Sequence, residues 1–176
     1  MFPSFLGYRS LMHLDLDTIP DRKFSWSHLT TLCLENLFGF ITVSDILPIL
    51  SQLQRVERLA FGRLTSNLRR TQDILITLSC LKVLKSRGHS LLWYIRAPVL
   101  EELHVYESFL SSTITFLQKS CCNVRRLAIG NGFPLDFERI VRLVPGVANA
   151  SFGPSEMSHR SWRNCMSSTD FTTPVS

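Results

Sequence analysis

No stretch of this chain approaches the ~18 consecutive apolar residues of a membrane-spanning helix. Its longest apolar run, Leu91-Leu92-Trp93-Tyr94-Ile95, has the length of a strand. The first residues, Met1-Phe2-Pro3-Ser4-Phe5-Leu6, lack the positive charge that opens a secretory signal. Cysteines are few and unevenly placed, at 33, 80, 121, 122 and 165, an odd number without the spacing of a disulfide framework. Together these absences lead us to expect a chain of the cytoplasm or nucleus, in a reducing compartment and without membrane attachment.

The motifs of the common chemistries are missing as well. A phosphate-binding loop needs several backbone N–H groups converging on an anion, and the one glycine-rich candidate, Gly130-Asn131-Gly132, reads instead as a turn after a strand. Zinc needs four converging ligands, whereas His28 and Cys33, or the adjacent Cys121 and Cys122, belong to no paired C-x-x-C or H-x-x-x-H. There is no G-x-S-x-G elbow, and Arg87-Gly88-His89-Ser90 reads as a loop around Gly88. The expectation is no catalytic residue, no cofactor, no metal, and therefore no enzyme.

What is present is ordinary globular material: 176 residues, 45% hydrophobic, 10% aromatic and 19% charged, enough for one domain with a sizeable core. The formal charge is +5, but basic residues stand singly or in pairs such as Arg69-Arg70 and Arg125-Arg126, with acids between them. Nucleic-acid binders cluster such residues on one face, so this scatter argues against nucleic acid as the partner.

The informative feature is a recurring triplet, apolar-x-x-apolar-x-apolar. It occurs at Leu11/Leu14/Leu16, Leu29/Leu32/Leu34, Val56/Leu59/Phe61, Leu100/Leu103/Val105 and Val124/Leu127/Ile129, with weaker copies at Leu81/Leu84/Ser86 and Val147/Ala150/Phe152. Starting positions 11, 29, 56, 81, 100, 124 and 147 give steps of 18, 27, 25, 19, 24 and 23. These straddle the ~20–29-residue period of leucine-rich repeats. Each triplet predicts a short strand whose alternate side chains point to opposite faces. Stacked, such strands make a curved parallel sheet, and each needs a return segment on the far side.

Four return segments carry helical signals. Val43, Ile46, Leu47, Leu50 and Leu53 are helically spaced behind a cap at Thr42 or Ser44, with Pro48 delaying the regular turns. A second helix is expected over Gln72–Leu78, with Ile74, Leu75 and Leu78 on one face. In the third, Ser112 caps a helix burying Ile114, Leu117 and Cys121. The fourth starts at Asp136 as N-cap, with Glu138 in its first turn, Leu135 packing on Ile140, and Ile140, Val141 and Val144 inward. Pro145-Gly146 ends it. The fold class expected is α/β: a leucine-rich-repeat solenoid of about six to seven irregular repeats over residues 1–152, with helices or irregular turns on its convex side. From 153 to 176 the composition turns Ser/Thr-rich, with few apolar anchors, Trp162 the largest of them, and a polar disordered tail is expected.

In that register the residues between the triplet leucines face outward and line the concave side. The candidate protein-binding residues are His13, Asp15, Thr31, Arg58, Lys85, Glu102, His104 and Arg126, with the small neighbours Cys33, Ala60 and Ala128 and with Val83. Their mixture of charges points to a polar partner surface.

Four passages carry a family likeness: LLWYIRAPVLEELHVYES, TITFLQKSCCNVRRLAI, LDFERIVRLVPGV, and earlier WSHLTTLCLENLFGFITVSDILPIL. Over about residues 8–152 the chain resembles the irregular leucine-rich region of the F-box family expanded in mushroom-forming fungi. There a strand of the form A-P-x-L-E-E-L precedes a helix of the form F-L-Q-x-S and a strand flanked by basic residues. The resemblance implies the substrate-recognition repeats of a ubiquitin-ligase receptor, whose F-box holds the cullin-type ligase. The asparagine common after the last strand leucine is replaced by Ile19, Leu37 and Leu64 in the first three repeats, which implies an irregular arc. The first triplet already begins at Leu11, so the expectation is repeats without the F-box, joined to a ligase only if one is supplied elsewhere. Phe2, Phe5 and Tyr8 are then expected to cover the apolar edge of the first repeat. Two rival readings of the same residues are a basic nucleic-acid-binding domain and a truncated, non-functional relative.

Overall fold

A computed structural model describes residues 10–11, 26–34, 42–64, 74–88, 90–106, 110–130 and 134–153. The expected N-terminal cover of Phe2, Phe5 and Tyr8 and the polar tail lie outside these residues, apart from Gly153, which closes a strand.

The chain forms an α/β structure around a parallel sheet. Its strands are β1 (Ser10–Leu11), β2 (Thr31–Leu34), β3 (Arg58–Phe61), β5 (Val83–Ser86), β7 (Glu102–Val105), β8 (Arg126–Gly130) and β9 (Asn149–Gly153), adjacent in that order and parallel throughout. Parallel neighbours cannot be joined by a hairpin, so each successive pair needs a crossover connection. Helix α1 (Val43–Leu50) makes the crossing from β2 to β3, α2 (Leu110–Ser120) from β7 to β8, and α3 (Pro134–Leu143) from β8 to β9. Two further crossings carry short strands, β4 (Ile76–Thr77) and β6 (Ile95–Arg96), which pair with each other in parallel. A 3-10 turn, Ser90–Trp93, leads into β6, and another, Trp26–His28, precedes β2. Among the described residues no helix is long and apolar enough to cross a membrane.

The register follows the triplets. Leu32, Leu59, Leu84, Leu103, Leu127 and Ala150 are partners along one row, and Leu34, Phe61, Ser86, Val105, Ile129 and Phe152 along the next. The leading residues Leu29, Val56, Leu81, Leu100 and Val124 are buried in the same core. Each aliphatic side chain taken out of water contributes roughly 1.5–3 kcal/mol, so these aligned columns are the main cohesive force between successive strands. Backbone bonding recurs with them. At five successive strand starts one carbonyl accepts two consecutive amides of the next segment: Thr30 from Glu57 and Arg58, Glu57 from Lys82 and Val83, Lys82 from Glu101 and Glu102, Glu101 from Arg125 and Arg126, and Arg125 from Ala148 and Asn149.

Several local expectations need correction. In the first triplet Leu11, not Leu14, pairs with Leu32, and Ser10 stands opposite Thr31, a shift of three residues. The helix expected over Gln72–Leu78 is absent from its described part. Ile74 and Leu75 are exposed coil, and Ile76-Thr77 pair as a strand with Ile95-Arg96. A seven-residue helix rich in β-branched residues is a poor nucleus, and a waiting strand partner outcompetes it. Pro48 lies inside α1 rather than before it. Helix α1 starts at Thr42, whose backbone N–H reaches the Asp45 carboxylate at 2.9 Å, and buries Val43, Ile46, Leu47, Ile49 and Leu50. That burial outweighs the ~3 kcal/mol penalty of an interior proline.

Helix α2 begins at Leu110, ahead of the expected cap Ser112, which is fully buried within it. Phe116 joins Leu117 inside, while Cys121 is exposed just past the helix with φ 50, the left-handed stop often seen at helix ends. Helix α3 opens at Pro134, so Asp136 lies in its first turn instead of capping it. A proline suits that opening position because its missing N–H would be unpaired there anyway. Ile140 and Val144 are buried as expected.

Candidate functional site

Leu32, Leu59, Leu84, Leu103 and Leu127 face the helices, so the residues between them face the opposite, outer side of the sheet. Two outward rows are in register: Thr31, Arg58, Val83, Glu102, Arg126 and Asn149, then Cys33, Ala60, Lys85, His104, Ala128 and Ser151. Of the sequence-derived candidates, Thr31, Arg58, Lys85, Glu102, His104 and Arg126 are therefore brought onto one face. His13 and Asp15 lie outside the described residues. Because β1 pairs three residues earlier than the triplets imply, their assumed alignment with Thr31 and Cys33 is withdrawn.

The centre of this face is less exposed than alternation alone implies. Cys33, Ala60 and Tyr106 form a small buried cluster separate from the main core. Tyr106 follows β7 while Ala60 and Cys33 belong to β3 and β2, so the contact passes over β5. Lys85, on β5, is left only 7% exposed, contrary to its expected place as an open contact residue. Cys33 at 4% and Ala60 at 0% are likewise covered.

The charged part lies on β7 and β8. Arg126 Nη1 donates to Glu102 Oε1 at 2.7 Å, and His104 Nε2 lies 3.7 Å from Glu102 Oε2. The His104 imidazole holds the Glu102 carboxyl below its ordinary range. Arg126 and Lys85 add to the effect, and partial burial opposes it. Both His104 ring nitrogens are enclosed and have no hydrogen-bond partner among the described residues. Beside His104 a depression of about 340 Å³ opens across β7, β8 and β9, bordered by Arg126, Ala128, Asn149, Ala150 and Ser151. A volume of this size accepts a partner's side chain.

Asn149, Ser151 and Tyr106 are site residues that the sequence reading passed over. The first two have the same outward parity as Arg126 and Ala128, a signal obscured because Val147/Ala150/Phe152 is a weak triplet. Nothing local marks Tyr106.

Among the described residues no three His, Cys, Asp or Glu side chains gather as metal ligands. Cys33, Cys80, Cys121 and Cys122 form no disulfide, and burial pushes the Cys122 thiol up to about 11. Comparison of the chain with protein-family models, curated proteins and solved structures finds no match.

Proposed function

We propose that this chain is a leucine-rich-repeat solenoid that binds another protein on its outer sheet face, in the manner of the substrate-recognition repeats of an F-box ubiquitin-ligase receptor, and that it acts by binding rather than by catalysis. One observation carries the reading: one outward row of the sheet holds Arg58, Val83, Glu102 and Arg126 in register, so that three of four adjacent strands place a charged side chain along it. A stacked sheet holds such groups at fixed spacing before a partner arrives, so little ordering is left to oppose binding. The recurring carbonyl bonds at the strand starts support the repeat reading, and the family likeness supports the link to a ligase, with the F-box supplied by another chain or segment.

Affinity capture from a fungal lysate tests the proposal. The intact chain is compared with a variant carrying Arg58→Glu, Glu102→Arg and Arg126→Glu, in which the 102–126 ion pair is reversed but kept, so that the fold is disturbed least. A specific protein captured by the first and lost by the second is the expected result. Cullin components among the captured proteins support the ligase link. Identical captures, or chaperones alone with both, overturn the assignment of this face.

A further inference from the structure

We draw no further inference here: the strongest candidate, the depression on the outer sheet face beside His104 and across β7, β8 and β9, belongs to the site already described, and nothing in the structure shows which partner group would fill it.

Discussion

Two side chains show how single residues are tied to the whole. Ser86 occupies a core row between Phe61 and Val105, where its partners are apolar, and it is fully buried. It fits because its hydroxyl is spent locally: the Gly88 N–H donates to Ser86 Oγ at 3.2 Å, and the hydroxyl in turn donates to the Gly88 carbonyl. Ser86→Ala keeps the volume nearly unchanged and removes the closure of that turn, so we expect a loss of about 1 kcal/mol in urea unfolding. Glu102 belongs to the outer face, and its effect on stability depends on pH. A carboxyl held below its ordinary value of 4.5 in the folded state contributes stability above that value and loses it as the pH falls further. The wild-type urea midpoint should therefore drop more than that of Glu102→Gln as the pH falls from about 6 to about 3.5. The carboxylates common to both proteins cancel in the comparison, and parallel profiles would show that the His104 and Arg126 partners do not act on Glu102 in solution.

At the scale of elements, α1 offers a test of burial against local propensity. Pro48 is the sixth of its eight residues, exposed, and without the N–H that would bond to the carbonyl of Ser44. Its own carbonyl accepts from Ser51 Oγ at 2.8 Å and Gln52 Nε2 at 3.0 Å, contacts that alanine would keep. Pro48→Ala should stabilise the protein by about 2 kcal/mol, the ~3 of interior-proline penalty less the ~1 that proline withholds from the unfolded chain. A lowered thermal midpoint would mean that the proline ring makes contacts that alanine cannot replace.

Elements also divide what the sequence discloses from what it hides. Strands of the period-2 triplets at Leu32, Leu59, Leu84, Leu103, Leu127 and Ala150 were legible in register because each has one aliphatic frame. Leu11/Leu14/Leu16 offers two frames, and the pairing with β2 chooses the other. Gln72–Leu78 was misread because its alternative partner, Ile95, is distant in sequence. The six described site candidates followed from parity, a local property. The cover over Lys85 did not, since it depends on Tyr106 reaching across another strand.

For the whole molecule, the strand order makes stability a chain of neighbour interfaces. Each interior strand is held on two sides, while β1 and β9, the outermost strands among the described residues, are held there on one. Opening β9 breaks its pairing with β8 and its packing on α3, and Asn149, Ala150 and Ser151 are already exposed. Opening β5 would break two interfaces and uncover Leu84, Leu81 and Ser86, all fully buried. When strands interact mainly with their neighbours, free energies of opening should fall from the middle of the sheet outward. Native-state hydrogen exchange in low urea should accordingly give β3, β5 and β7 amides the highest protection, close to that of global unfolding, and β9 amides markedly less. Equal protection from β2 to β9 would instead describe one cooperative unit, in which helix packing rather than strand stacking sets the limit. The distinction bears on binding, because the depression beside His104 spans β7 to β9: a weak β9 leaves that half of the face to be ordered by its partner, and addition of a protein captured on this face should then raise β9 protection more than that of β3.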